Sequence, residues 1–580
     1  MQKAVVVMVM LTIVTPVQAL TCGAPSTPIS TVQGKADKTP LSGQTMTVEG
    51  IITLDLRQPG GFEGFYLQQA PTEQDDNPVT SEAIFVHTRV SSGRSGDRVR
   101  LRGRAGEYYG LTSLSQVNAV SVCGSPGLPP PVVFHPGEAP ADIRESLEGM
   151  LVHVDQPLAV TDTWNLARYG ELVLAPEVQW VPTQLQPPVP GLTRHLDAQE
   201  QERLLLDDGQ RRQDPRPVPW PTGNLAPDNP VRVGDRVGPL TGILDYRFGH
   251  WRLQPLEPPG FHSTEPRSPA PVRHENANLR VASLNLGNLF NGNGQGGGYP
   301  SPRGARSHDA YQQQLARLTA QIAAMDADIL AVSELENDGY GAQSAIAQLT
   351  EQLGEHWRFV QGSTDSHSDA IRNGLLYRPD RARPVGAPQL ISQGAFTDWH
   401  RPALAQTFEL PDGSQPLTII AVHLKSKSCR NAPPMQQATG DGQACFARAR
   451  TDAARELARW VANRITDQTA VLLTGDFNAY AMEDPLRILA ESGYQDLVRD
   501  FHGLHTRTFR FHGRQGTLDY HLANHSARKT VLASHLWAVN AEEPRVWAYD
   551  AHSSFELPAG YIWRASDHNP VITDLRLAPR

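Results

Sequence analysis

The chain has 580 residues, 52 Lys plus Arg against 61 Asp plus Glu, a formal charge of −9 and a pI near 6.1. That length exceeds one ordinary core and suits two to four domains. With 39% hydrophobic and 19% charged residues, a disordered polymer and a coiled coil are excluded, and the mild acidity excludes a polybasic protein that grips duplexes through clustered Lys and Arg.

Lys3 precedes an apolar run over residues 4–14, then Pro16 and Val17-Gln18-Ala19. This order predicts a secretory signal over residues 1–19, cleaved after Ala19; the run is too short to span a bilayer, which takes about 20 apolar residues. No second such stretch follows, so the mature protein is expected outside the cytoplasm, extracellular or periplasmic, with no stable membrane association. Export gives meaning to four cysteines. Cys22 and Cys123 bracket one β-patterned segment, and Cys429 and Cys445 bracket one polar loop. Pairing within each bracket is the economical choice among three connectivities, and the spacings match no zinc pattern.

From 20 to 128, short runs such as Thr45-Met-Thr-Val-Glu-Gly-Ile-Ile-Thr-Leu54 alternate apolar and polar residues between Gly and Pro turns, which predicts a small barrel or sandwich. Ser95-Gly-Asp-Arg-Val99 is echoed by Val233-Gly-Asp-Arg-Val237, so a second β unit is expected over 129–260. A polar, Pro-rich insertion around 207–227 interrupts it and reads as a loop or disordered excursion. Residues 261–277 have linker composition.

The pattern changes from 278 to 580. A β-rich run over 279–286 leads to a helical stretch over 310–325 and a buried strand in Asp328-Ile-Leu-Ala-Val-Ser333. A second helix, 447–464, precedes the strand Thr469-Ala-Val-Leu-Leu-Thr474. Such alternation predicts an α/β catalytic domain.

Here polar residues end apolar strands, where a scaffold holds them rigidly: Asn285, Glu334, His423, then Asp476 and Asn478 in Gly-Asp-Phe-Asn, Asp519 in Leu-Asp-Tyr, and Asp567-His568. Singly, each is an ordinary turn former or satisfied polar residue. Together they form an oxygen-rich set suited to Mg²⁺ or Mn²⁺ rather than zinc, with two histidines for acid–base work.

The ordered set resembles the endonuclease/exonuclease/phosphatase superfamily over residues 278–576. Its marks are Ser283-Leu-Asn285, Asp328 to Glu334, Tyr377-Arg-Pro379, Arg401-Pro-Ala-Leu404, Val422-His-Leu424, Gly475-Asp-Phe-Asn478, Leu518-Asp-Tyr520 and Ser566-Asp-His568. Finer phrases, among them His423-Leu-Lys-Ser-Lys427 and Ala541-Glu-Glu-Pro-Arg545, look like the ExeM/NucH group of secreted nucleases. Ser333 stands where many members of the superfamily have Gln.

The resemblance implies a multidomain protein: N-terminal all-β modules like oligonucleotide-binding (OB) folds, then an α/β four-layer sandwich of two β-sheets flanked by helices. It implies a metal-dependent phosphodiesterase, an endonuclease on extracellular DNA or RNA with little sequence preference and no obligate protein partner. The rival readings are a hydrolase of another phosphate ester, such as a phospholipid headgroup, and a noncatalytic nucleic-acid-binding surface protein. Residue by residue, Glu334, Asn285 and Asp567 would hold Mg²⁺ or Mn²⁺, with Ca²⁺ as an additional ion. His568 oriented by Asp519 would act as base or stabilise charge, and Asp476 held by Asn478 would handle the attacking water. His423 would sit near the leaving oxygen and Arg401 would order carboxylates or a phosphate. Tyr377 reads as packing. The interleaved Arg507, Arg510 and Arg514, with Lys425 and Lys427, are candidate nucleic-acid contacts.

Overall fold

The computed structural model describes residues 20–579 except 76, 139–140, 363–368, 467, 552–554 and 556. The expected signal segment, 1–19, lies outside the described residues. Among the described residues no helix is long and apolar enough to cross a membrane.

In the first domain, Thr45–Asp55 pairs antiparallel with both Gly64–Gln68 and Arg98–Tyr108. Ala83–His87 and Leu111–Ser115 complete the circuit, so five strands close on themselves. Alternation along the strands turns Val48, Ile52, Phe65, Leu67, Ile84, Val86 and Leu101 into one core. This five-strand barrel is consistent with an OB-like fold. A disulfide joins Cys22 to Cys123, tying the segment before the barrel to its sixth strand, Val120–Gly124.

The middle domain is built on a nine-stranded sheet running from Val132–Val133 at one edge to Phe261–His262 at the other. Its core includes Val152, Val160, Leu174, Leu206, Leu244 and Leu253. The insertion at 207–227 is irregular but not an excursion: Val218, Trp220 and Leu225 are buried in that same core, and Trp220 Nε1 donates to the Gly170 carbonyl at 2.8 Å. Proline there replaces regular structure while three apolar side chains anchor the path. The stretch expected as a linker is also engaged. Phe261–His262 pairs with Arg236–Val237, and Arg267 donates to both oxygens of Glu543, at 2.9 and 2.6 Å.

The C-terminal domain contains two six-stranded sheets. The first orders Arg358–Phe359, Ile371–Tyr377, Ile329–Glu336, Leu279–Leu289, Val571–Leu575 and Val531–Leu536. The second orders Arg383–Ile391, Ala403–Glu409, Leu417–His423, Ala470–Asp476, Asp519–Ala523 and Gln495–Asp496. Val281, Ile329 and Leu375 from the first sheet share a buried cluster with Leu404, Ile419 and Leu472 from the second. Helix His308–Met325, capped by Ser307 Oγ accepting from Ala310 N, buries Leu315, Leu318 and Ile322 with Leu284 and Leu330. Helix Ala447–Arg464 spans the expected residues and buries Leu457 and Trp460 with Ile420 and Leu473.

The middle and C-terminal domains interlock. Gln179–Trp180 adds in parallel to Arg514–Gly516, the second strand of a hairpin begun by Phe509–Phe511. Val546, Trp547 and Tyr561 bury themselves in the middle domain's core.

Candidate active site

Strand register brings the strand-end residues together. His423, Asp476 and Asp519 lie directly opposite one another across three adjacent strands of the second sheet. In the first sheet Asn285 lies opposite Ser333. Glu334 follows at a point where the register slips between Val332 and Leu335, with φ of 57°. A bulge of this kind re-aims a side chain, and the left-handed backbone is one that non-glycine residues adopt at a cost of about 1–3 kcal/mol.

Hydrogen bonds then join the two rows. Asn285 Nδ2 donates to Asp476 Oδ2 at 3.2 Å across the sheets, while Asn285 Oδ1 accepts from Gly287 N at 3.0 Å. Asp476 Oδ1 accepts from Asn478 N at 2.8 Å, and His423 Nε2 lies 3.5 Å from Asp476 Oδ2. Asn478, itself at φ of 48°, donates from Nδ2 to the Leu424 carbonyl at 3.2 Å. His568 Nδ1 is 2.7 Å from Asp519 Oδ2. Ser566 Oγ donates to the Asn285 carbonyl at 2.6 Å and accepts from His568 N at 3.2 Å, which fastens the Asp567-His568 loop to the first sheet. Arg401 Nη1 donates to the Leu424 carbonyl at 3.2 Å, and its Nε lies 3.2 Å from Asp369 Oδ2.

The electrostatics separate the roles. Burial, with Asp567 beside it, pushes the Glu334 carboxyl up, and the charges of His568 and Arg401 offset part of this. For Asp567 burial acts in the same sense, but His568 and Arg564 outweigh it and hold the carboxyl below its usual range. Burial, then Asp519, pushes Asp476 up to about 7. Burial opposes charge on His568, yet the Asp519 carboxylate overcomes it and holds the imidazole well above its usual value. His423 is driven well below by burial and by neighbouring cations, first Arg401. The site therefore holds one histidine charged and one neutral. Asp476, Asp519 and His568 offer ligand-type atoms all within 4.8 Å of one another.

The family model for the endonuclease/exonuclease/phosphatase family matches residues 282–568. The C-terminal domain belongs to that family. A domain of unknown function matches residues 131–264, which is the middle domain. No curated protein matches the chain. Solved structures similar to the endonuclease/exonuclease/phosphatase domain include humanized D. rerio TDP2, at 15% identity over 51% of this chain and 98% of that one, TM-score 0.34. The human Nocturnin catalytic domain is 17% identical over 53% and 97%, TM-score 0.34. The Bacteroides thetaiotaomicron mannosyl-6-phosphatase Bt3783 is 16% identical over 52% and 100%, TM-score 0.35.

The candidate nucleic-acid contacts of this endonuclease/exonuclease/phosphatase domain fare differently. Lys427 Nζ donates to both oxygens of buried Glu483 at 2.6 Å. Arg507 pairs with Glu542 and Glu265, each at 2.7 Å. Arg514 bonds Gln199 Oε1 at 2.6 Å and Glu200 at 3.3 Å. These three charges are matched within the protein, two of them by the middle domain, which corrects their reading as free nucleic-acid contacts. Lys425 lies with Nζ 4.9 Å from the Phe446 ring. Among the described residues Arg510 makes one bond, from Nη2 to the Val233 carbonyl at 3.3 Å. Tyr377 packs against Phe408, ring centres 5.6 Å apart. Cys429 and Cys445 form the second disulfide, in the loop after His423. Sequence reasoning missed Thr508 and Phe509. Thr508 Oγ1 accepts from Leu518 N and Asp519 N at 3.0 and 3.1 Å, and the Phe509 ring stacks on His568. Their position within the Arg/aromatic segment 507–514 was the available sign.

Proposed function

We infer that the chain is an exported, metal-dependent phosphodiesterase, an endonuclease that hydrolyses DNA with little sequence preference and takes RNA as a second substrate. The observation that carries this reading is the Asp519–His568 pair at 2.7 Å, set beside both Asp476 and the Glu334–Asp567 carboxyls. The two disulfides fit an oxidising compartment. The separate apolar clusters between the sheets and beneath the helices support the four-layer reading, and the closed barrel supports an oligonucleotide-binding first domain.

The donor set suits a hard divalent cation. Glu334 and Asp567 are like-charged neighbours, and their mutual repulsion helps to push Glu334 toward its neutral form; Glu334, Asp567 and Asn285 would hold a cation through oxygen atoms alone, as Mg²⁺ and Mn²⁺ prefer, and its charge would relieve that cost. In the alternative trio of Asp476, Asp519 and His568, the His568 Nδ1 and an Asp519 oxygen are already joined by a hydrogen bond. When bound, the cation supplies polarisation of a nonbridging phosphate oxygen.

The protein groups do the rest. Asp476, oriented by Asn478 N and Asn285 Nδ2 and poised near neutrality, takes a proton from the attacking water. His568, with Nδ1 committed to Asp519 and its charge held there, donates from Nε2 to the oxygen on which negative charge builds. His423, whose buried Nδ1 has no hydrogen-bond partner among the described residues, stays neutral beside Asp476 and is assigned to the leaving-oxygen side of the site. Arg401 fixes the Leu424 backbone that also holds Asn478.

The test is incubation of the purified protein with supercoiled plasmid, linear DNA, RNA and a phospholipid, with EDTA and with each metal. Nicked circles formed only with Mg²⁺ or Mn²⁺ are expected; phospholipid turnover with no nucleic-acid cleavage would overturn the reading.

A further inference from the structure

A cavity of about 890 Å³ opens between the middle domain and the C-terminal domain, and Gly287, Asn288, Ser566 and Asp567 line one part of it. The cavity is thus continuous with the candidate active site. Its remaining walls come from both domains. The middle domain contributes Trp164 and Trp251, and the C-terminal domain contributes the hairpin tip, Arg510 to Gly513, with Arg545 and Arg564.

Two features distinguish this cleft from an incidental gap. The first is exposed aromatic surface. Trp164 is 67% exposed and Phe511 is 59% exposed. Arg545 of the C-terminal domain reaches over the Trp164 ring at 5.3 Å while its guanidinium is held in place by both oxygens of Asp550, at 2.6 and 2.7 Å. The second is positive charge that no salt bridge takes up, although Arg564 also acts on the nearby Asp567 carboxyl. Arg510 and Arg564 each donate to one backbone carbonyl, of Val233 and Asn540. Each has a buried Nε with no hydrogen-bond partner, and neither forms a salt bridge among the described residues. Of the acids lining the same cleft, Glu171 is paired with Arg252, Glu200 with Arg203 and Arg514, Glu543 with Arg232 and Arg267, and Asp550 with Arg545, while Asp162 and Asp567 form no salt bridge among the described residues.

Flat aromatic faces beside guanidinium groups are how proteins hold single strands, because every unpaired base offers a face and every linkage a phosphate. Bases in a duplex have their faces covered by their neighbours. We propose that the cleft is a single-strand groove that seats the nucleotides flanking the scissile phosphate, with Trp164 and Phe511 as stacking platforms and Arg510 and Arg564 as phosphate donors. The proposal rests on the nucleic-acid reading above and adds to it that the middle domain is part of the substrate site.

In the full-length protein, Trp164→Ala and Phe511→Ala are each expected to raise KM for a short fluorescein-labelled single strand roughly 5- to 150-fold, the worth of one stacked base. Expected to stay unchanged are kcat on that strand, KM for blunt duplex, and turnover of bis(p-nitrophenyl) phosphate, which is too small to reach either platform. Both side chains are largely exposed, so folding is expected to survive, and unchanged bis(p-nitrophenyl) phosphate turnover verifies it. Unchanged KM for the single strand in both variants overturns the groove, as do equal losses on duplex and single strand. A wild-type protein that hydrolyses bis(p-nitrophenyl) phosphate but no nucleic acid overturns the underlying reading instead.

Discussion

The ring of Phe509 lies over that of His568, with centres 4.5 Å apart and planes inclined by 30°. Phe509 opens the hairpin whose second strand pairs with Gln179–Trp180 of the middle domain. The middle domain therefore holds the hairpin that holds the histidine. Stacked aromatic pairs contribute about 0.5–1.5 kcal/mol, so Phe509→Ala is expected to lower kcat by roughly 2- to 10-fold with little change in KM. Phe509→Tyr is expected to restore it, whereas a merely structural contact would be read as a lowered Tm without a kcat effect.

Glu334→Gln removes one of two neighbouring carboxyls while keeping shape. Divalent-metal affinity and turnover should both fall, and far-UV circular dichroism should be unchanged. Calorimetric titration with Mn²⁺ measures the first, and cleavage at limiting Mg²⁺ the second; wild-type values in both would remove Glu334 from the cation site.

Substituting His568 by Ala should cost roughly 10²–10⁴-fold in rate, the usual contribution of an acid–base group. DNA affinity should survive, because it comes mainly from phosphate contacts made elsewhere. Single-turnover kinetics beside a filter-binding measurement separate the two, and a matching loss of affinity would recast His568 as a binding residue.

Arg232 Nε lies 2.9 Å from Glu543 Oε1, and both side chains are buried. Arg232 also donates to the Ala538 carbonyl at 2.7 Å, so the ion pair spans the two domains. Stranding a buried charge costs about 3–5 kcal/mol, and Glu543 keeps Arg267 as a partner when Arg232 is removed. Arg232→Ala is therefore expected to lower the urea midpoint by less than that, and Arg232→Ala with Arg267→Ala by the full measure. Residues 270–580 expressed alone lack both Arg232 and Arg267, and should unfold at lower urea than the same domain within the full chain.

His521 is buried between the sheets, with Nδ1 at 2.7 Å from Thr573 Oγ1 and Nε2 at 3.1 Å from Ser283 Oγ. Burial pushes it down to about 3. The unfolded chain binds a proton near pH 6.5, the folded one only near pH 3, so this contribution to stability is complete above pH 6.5 and is lost as pH falls toward 3. Urea midpoints measured from pH 7 to pH 4 should decline in the wild type and show a flatter slope in His521→Gln.

Much of the site was legible in the sequence because strand ends of one domain gather at one edge. Asn285, Glu334, His423, Asp476, Asp519 and His568 each close or adjoin an apolar run, and two parallel pairings, Leu279–Leu289 with Ile329–Glu336 and Leu417–His423 with Ala470–Asp476, align those ends. The bracketed cysteines were legible for a similar reason, since each pair ties the two ends of one segment. Side chains whose partners lie far away were not. Arg507 meets Glu265 across 242 residues and Arg514 meets Glu200 across 314, so an arginine-rich hairpin that reads as a nucleic-acid surface is largely a domain clasp. The buried insertion at 207–227 escaped for the opposite reason: three apolar anchors among many prolines produce no periodicity, yet suffice to pin the backbone. Local pattern determined which residues could do chemistry, because the period of a strand is written in its own residues. Only tertiary packing decided which charges were left unmatched beside them, because a charge is neutralised by whatever the whole fold brings within reach.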